Sequence, residues 1–491
     1  MARMLSANES LWNWDHSYAT LPKSCFSVVD PTPVRQPKLL IFNEALAAEL
    51  GLASLSEMDT AALAEIFAGN RLPEGALPLA MAYAGHQFGH FTPLGDGRAI
   101  LLGEHVDYRQ RRHDIQLKGS GITPYSRRGD GRAALAPMLR EYLISEAMEA
   151  LGIPTTRSLA IVTTGEEVHR MEVQPGAVLV RTAASHMRVG TFELFAAMED
   201  HRTLRALLDY TVRRHYPELT ESSNPALALL RVVQIRQAEL VACWMAVGFV
   251  HGVLNTDNVA LSGETIDYGP CAFIDRYRPD AVYSSIDRRG RYAYGNQPAI
   301  TAWNLSRFAE SLLPLIDEDN NKAIALAEEV LGGFPEAYER AWLERMARKI
   351  GIDRPQQADK ALIEDWLQLL DKHGVDFTNG FRALTGDDNA EHERLMHADF
   401  KAWLGQLEQR WAVLGIDCDS ARACMDAANP RQIPRNAGVE EALNAAESGD
   451  LTPFLRALKV LQKPFVEHRD VSAFATTPSA GDQVFTTFCG T

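Results

Sequence analysis

A chain of 491 residues is long enough for two or three folding units, and 46% hydrophobic with 23% charged residues is an ordinary globular mix. The 49 Lys plus Arg against 64 Asp plus Glu give a net charge of -15, which excludes a general nucleic-acid binder with a broad basic face but leaves room for a local basic pocket. No apolar run of about 18 residues occurs, and the opening MARMLSANESLWNWDHSYATLPKS has no apolar core of signal-peptide type. A soluble, cytoplasmic protein that engages neither membrane nor nucleic acid is expected.

In chain order, residues 1–80 combine the Pro-punctuated DPTPVRQPKLLIFN with a helical run, EALAAELGL, closed by Gly51. Residues 81–190 change texture. Short β-branched or apolar runs (RAILLGEH, RRHDIQLKG, RSLAIVTTG, AVLVRTA) lie between Gly-rich turns, the pattern of a sheet. One helix interrupts it, RAALAPMLREYLISEAMEALGIP, with Leu135, Leu139, Tyr142, Leu143, Ala147 and Ala150 at helical spacing and Gly152 and Pro154 ending it. From 191 to about 400 helices dominate, and 401–491 forms a further helical extension with a Cys-containing tail. The expected class is α+β, a β-rich lobe preceding a helical lobe, with extensions at both ends. Six cysteines (Cys25, Cys243, Cys271, Cys418, Cys424, Cys489) occur without any C-x-x-C, so neither a zinc ribbon nor a disulfide framework is indicated. Most are expected as buried thiols; Cys489, third from the end, is expected to be solvent-reachable.

Several short signals point to a phosphate ligand. PLGDGRAILLGE sets Gly95 and Gly97 about an acidic turn, where backbone N–H groups can approach a phosphate, although a Gly-Asp-Gly hairpin by itself is only a turn. DIQLKGSG ends a strand-like run in Lys118, and Glu141 lies in the middle of the helix that follows. Strand-Lys followed by helix-Glu is the order in which a kinase lobe orients a phosphate-binding ammonium; a surface salt bridge is the plainer alternative. A second Gly-Asp-Gly, Gly129 to Gly131, precedes the same helix and places Asp130 and Gly131 at an anion-favouring helix start. VLVRTAASHMRVGTFE adds Arg181 and Arg188, whose planar guanidinium groups match phosphate oxygens.

The segment HGVLNTDNVALSGETIDYGP, read as loop-strand-loop after a helix, resembles the catalytic stretch of a protein kinase. Aligned on its His and Asn, however, Val253 stands where a kinase has its catalytic Asp. Asn258 and Asp267 remain as oxygen ligands for a divalent metal, and the lack of a His/Cys cluster in this segment favours Mg²⁺ over zinc. Asp257 is the one carboxylate in the loop proper and the candidate base, its alternative being an Asx-turn residue.

Together with DPTPVRQPKLLIFNEALAAELGL, AGHQFGHFTPLGDGRA, LKGSGITPYSRRGDGRA, EAMEALGIPTTRSL and GNQPAITAWNLSRF, these motifs resemble the SelO (selenoprotein O, YdiU) family over nearly the whole chain. The resemblance implies a protein-kinase-like bilobal fold that acts as a protein adenylyltransferase. ATP would bind inverted relative to a kinase, so that its α-phosphorus faces the hydroxyl of a Ser, Thr or Tyr in a protein substrate. It further implies that Gly95, Gly97, Arg98, Lys118, Asp130, Gly131, Arg181, Arg188 and Asp267 contact nucleotide. Asn258 and Asp267 would hold Mg²⁺ or Mn²⁺, Asp257 would accept the proton and Glu141 would orient Lys118. Cys489 matches the place of selenocysteine in many eukaryotic members, and a redox pairing with Cys271 is a further expectation. The chain is expected to act as a monomer. The competing readings are γ-phosphoryl transfer, a nucleotide-binding scaffold without turnover, and transfer of UMP from UTP.

Overall fold

Residues 11–170, 172–387, 391, 393–468, 472–475 and 485–487 are described by the structure, a computed structural model. Its first part builds a large antiparallel sheet from short strands: β1 (Trp14–Asp15), β2 (Phe26–Val28), β3 (Lys38–Phe42), β4 (Leu79–Met81), β7 (Ala99–Val106), β8 (Arg112–Lys118), β9 (Ala133–Ala134), β10 (Arg157–His169) and β11 (Val173–Ala183). Strands β5 (Ala84–Gln87) and β6 (His90–Pro93) form a separate hairpin. The sheet runs β2-β4-β7-β8-β11-β10-β3, with β1 on β7 and β9 on β11. It therefore draws three strands from the first 80 residues, beyond the stretch whose texture announces it.

Both faces of the sheet are covered, and the two-residue period of a strand assigns each side chain to one of them. Ile115, Leu117, Val178 and Val180 point into a core shared with helices α1 (Glu44–Glu49) and α2 (Thr60–Phe67). The alternate residues share the opposite face: Gln116 and Lys118 on β8, and Leu179 and Arg181 on β11, paired as Arg181 to Gln116 and Leu179 to Lys118. That face meets helix α3 (Leu135–Ala150), whose Leu139, Tyr142, Leu143 and Ala147 are buried in the larger core, as their spacing predicts. Lys118, Gln116 and Arg181 are thus polar groups brought to an otherwise apolar layer.

The rest is mainly helical. Helices α4 (Val189–Ala197), α5 (His201–His215), α6 (Pro225–Val247) and α7 (Gln297–Ile316) lead the series. Asn224 caps α6 by accepting from Leu227 N at 3.1 Å, Pro225 occupies the first turn, and Gly248 ends the helix in the left-handed region at φ 74°. The chain then enters β12 (Phe249–Val250), which pairs antiparallel with β13 (Ala272–Phe273). This short ladder pins both ends of the loop that carries Asp257, Asn258 and Asp267. A strand was expected between the last two; the loop instead holds a single 3₁₀ turn at Thr256–Asn258 and isolated bridges at Ala260 and Thr265. Its apolar residues satisfy the surrounding core singly and do not join a ladder. No helix among the described residues is long and apolar enough to cross a membrane.

Candidate active site

A cleft of about 670 Å³ lies where the sheet face meets the pinned loop. Gly95, Gly97, Arg98, Lys118, Asp130, Gly131, Arg181, Arg188, Asp257, Asn258 and Asp267 all line it, together with Val253. Eight cationic side chains face it against four carboxylates, so a chain that is acidic as a whole carries one strongly basic concavity.

The sheet side is a closed network. Lys118 Nζ donates to Glu141 Oε2 at 2.5 Å and to Asp267 Oδ1 at 3.0 Å. Arg181 reaches the other oxygen of Glu141 at 3.1 Å and donates through Nε to Gln116 at 2.7 Å. Gln116 in turn donates to Asp96 Oδ2 at 3.1 Å, and the same oxygen accepts from Met81 N at 3.0 Å. Asp96, buried between Gly95 and Gly97, is therefore an anchor that ties the Gly-rich turn to the sheet. Gly95 has φ 136°, and any Cβ there would collide with the Tyr125 ring, so only glycine lets the turn lie this close to the following loop. Ser126 locks it further by donating to the carbonyl of Gly97.

Asp130 and Gly131 sit at the outer rim. Gly121 N donates to Gly131 O at 3.0 Å, and the exposed Asp130 carboxylate is held by Arg170 through two bonds of 2.9 Å. The hydrogen bonds from Arg170 keep Asp130 below the usual carboxylate range. The Gly-Asp-Gly turn expected at a helix start is separated from α3 by strand β9, and its Asp130 already carries an ion pair with Arg170, a cleft residue that no sequence signal marked.

The loop side is organised differently. Asp267 has φ 66°, a left-handed conformation costing a non-glycine residue roughly 1 kcal/mol or more. Burial alone would raise its pKa, but Lys118 beside it, with Arg181 and Arg98, outweighs burial and holds it far below the ordinary value. Asn258 donates through Nδ2 to Val253 O at 2.9 Å, which leaves its carbonyl oxygen for another partner. An ionised carboxylate and an amide oxygen form a donor set suited to a hard divalent cation.

Asp257 has the opposite electrostatics. Burial pushes its carboxyl up to about 7, with Arg188 opposing the rise and Asp267 and Glu193 adding to it. Oδ1 is enclosed and makes no hydrogen bond. Arg188 donates to the Asp257 carbonyl at 3.2 Å and to His186 O at 3.1 Å, and lies over the Tyr83 ring at 4.2 Å, yet its Nη2 is also enclosed without a partner. The β5–β6 hairpin closes over this loop: His86 N donates to Thr256 Oγ1 at 2.8 Å and Phe88 N to Asn255 Oδ1 at 3.1 Å. Gly85 lies so close that a Cβ would fall inside the Asp257 carboxylate. AGHQFGH thus supplies a roof for the candidate base, a role the sequence reading did not assign.

Of the cysteines, Cys25, Cys243 and Cys271 are buried as expected, whereas Cys418 is exposed and Cys424 half-buried on a surface helix. Burial pushes the Cys271 thiol up to about 12, so it is a protonated core residue at neutral pH. Cys489 lies outside the described residues. Thr487 is within them, buried, and donates through Oγ1 to Pro270 O at 2.6 Å, three residues beyond Asp267.

A family model described as "Protein adenylyltransferase SelO" matches residues 10–462. The chain is 54% identical over 481 residues to "Protein nucleotidyltransferase YdiU" of Brevibacillus brevis, covering 98% of each protein. It is likewise 54% identical over 489 residues to the protein of that name from Halalkalibacterium halodurans, again covering 98% of each. With that of Nitrosococcus oceani it shares 51% identity over 481 residues, 98% of this chain and 97% of the relative.

Proposed function

The chain belongs to the family of protein adenylyltransferase SelO, and from that membership we propose that it transfers AMP from ATP to Ser, Thr or Tyr hydroxyls of proteins, releasing pyrophosphate. The observation that carries the reading is the pairing, in one basic cleft, of a carboxylate held ionised, Asp267, with one poised near neutrality, Asp257. In the reaction the acceptor oxygen attacks the α-phosphorus and the bond to the oxygen bridging the β-phosphorus breaks. Pyrophosphate leaves with the electron pair, and the hydroxyl proton passes to Asp257.

Asn258 and Asp267 are the residues that would hold Mg²⁺, with Mn²⁺ as the alternative; their free oxygens fit a hard cation. A metal bound there supplies charge neutralisation at the phosphates. Lys118, Arg181, Arg188 and Arg98 act on the same developing charge as fixed cations. We read the architecture as protein-kinase-like, with 81–190 as the nucleotide lobe, 191–400 as the helical lobe, and 1–80 and 401–491 as extensions. The strand-to-helix pair Lys118–Glu141 supports that reading. Val253 in place of a kinase base, with Asp257 four positions on, is consistent with a reaction centre displaced from the γ- to the α-phosphorus. We place the reaction in the cytoplasm, on a monomer.

The test is incubation with Mg²⁺, an acceptor protein and ATP labelled at the α- or the γ-phosphate, beside α-labelled UTP, with Asp267→Ala as control. The account expects protein-bound label from the α position, lost in the variant. Label from the γ position alone would make the protein a kinase; ATP binding without label from either would favour a scaffold.

A further inference from the structure

Away from the cleft, a second constellation is built where the helix Asp359–His373 ends and the helix Ala398–Leu414 begins. His373, His397 and Asp399 each offer one ligand atom, and those atoms lie within 4.8 Å of one another. Asp399 Oδ2 is 3.1 Å from His373 Nε2 and 3.8 Å from His397 Nδ1. A tetrahedral ion with bonds of about 2.0–2.2 Å to nitrogen and oxygen holds its ligands about 3.3 Å apart. The pair His373 Nε2 and Asp399 Oδ2 already lies near that spacing, whereas His397 Nδ1, which now accepts from Asp399 N at 3.3 Å, must draw in.

The groups are also prepared as ligands. The His373 ring packs against the buried Phe400 ring at 5.1 Å, which fixes its plane, and the His373 and His397 rings face each other with centroids 4.6 Å apart. Asp399 Oδ2 is held in place by Lys372 Nζ at 2.6 Å and His373 Nε2 at 3.1 Å. Lys372 Nζ, 2.6 Å from the same Oδ2, now supplies the compensating charge. Its side chain is 65% exposed, so a divalent ion can displace it into solvent at little cost. On the other side of the site, His397 is 54% exposed, which leaves the remaining coordination position to water.

We propose that His373, His397 and Asp399 form a binding site for a late first-row divalent cation, Zn²⁺ first among them, distinct from the metal that accompanies the nucleotide. Two imidazoles and one carboxylate suit Zn²⁺ and its neighbours, whereas Mg²⁺ takes oxygen ligands and keeps its waters. The ion would fasten the end of one helix to the start of another across 23 intervening residues, 374–396. Binding to the folded chain alone would raise its stability in proportion to occupancy.

The test is calorimetric titration of ZnCl₂, and separately MgCl₂, into the chelator-stripped full chain without nucleotide, paired with thermal unfolding. One equivalent of Zn²⁺ is expected, with a higher unfolding temperature and no such response to Mg²⁺. Affinity should fall at least about tenfold in His397→Ala and likewise in His397→Asn, which keeps an acceptor for Asp399 N where His397 Nδ1 now caps the helix at 3.3 Å, and be lost in the His373→Ala/His397→Ala pair. Among the described residues, the exposed Cys418 and half-buried Cys424 are the accessible thiols that could compete for zinc. Zinc binding that persists at unchanged affinity in His397→Ala, or disappears only in Cys418→Ser/Cys424→Ser, overturns the proposal, as does the absence of binding to the parent chain.

Discussion

On the sheet side of the cleft, every oxygen of Glu141 is engaged, one by Lys118 and one by Arg181, and the chain of bonds runs on through Gln116 to Asp96. On the loop side, Asp257 Oδ1 and Arg188 Nη2 are enclosed with nothing to bond. Enclosed polar atoms without partners destabilise a fold by roughly 1–3 kcal/mol each, and this pair, from the loop and from the start of α4, meets where Arg188 donates to the Asp257 carbonyl. The contrast separates two tasks. On the proposed function, the satisfied network would fix the cations that receive phosphate, and the unsatisfied one would hold the group that takes the proton.

The largest effect should follow from the residue that joins the two sides. Asp267→Asn removes both the proposed ionised metal ligand and one of the two partners of Lys118, and transfer should fall by about 10³-fold or more in steady-state assays at saturating ATP. Retained turnover in this variant would break the comparison at its centre. Next, Glu141→Gln leaves Lys118 and Arg181 short of one buried negative charge, which should cost about 3 kcal/mol in denaturant unfolding and weaken ATP binding about tenfold.

Asp257→Asn sharpens the contrast from the other direction, through stability. The folded pKa near 7 lies above the unfolded value of 3.8, so the contribution of this one group to stability is fully present below about pH 4 and is lost as pH rises through 7. Asn carries no such penalty. In metal-free urea unfolding the variant should match the parent at low pH and exceed it by roughly 4 kcal/mol at pH 8, the rise from 3.8 to about 7 taken at ~1.36 kcal/mol per unit. A constant difference across pH would show that burial of this carboxylate imposes no penalty. The smallest effect is expected from Gly85→Ala: the added methyl displaces the Asp257 carboxylate, slowing transfer about tenfold while ATP affinity stays the same.

Much of the site was legible because its signals are local. Strand-Lys then helix-Glu, two Gly-Asp-Gly turns and an Asn–Asp pair nine residues apart need only near neighbours to be read, and Lys118, Glu141, Asn258 and Asp267 were found from them. The roof over Asp257 was not legible. Gly85 and Thr256 are far apart in the chain, and a short polar hairpin has neither a helical nor an alternating pattern to announce it. Strands β1 and β2, two and three residues long, fall below the length at which alternation can be seen. Arg170 carried no signal because its partner Asp130 lies 40 residues earlier, with β9, α3 and β10 between them. Most cysteines were expected inside, and three of the five described are; Cys418 and Cys424 are not, because they sit on the surface side of a short amphipathic helix whose burial is decided by packing rather than by residue type.

The most direct measurement is single-turnover AMP transfer and equilibrium ATP affinity, determined side by side for the parent chain and Asp257→Asn. The account predicts a rate lower by roughly 10²-fold to 10⁴-fold with the dissociation constant for ATP unchanged. An affinity that falls as far as the rate would contradict it, placing Asp257 among the groups that hold nucleotide rather than the one that takes the proton.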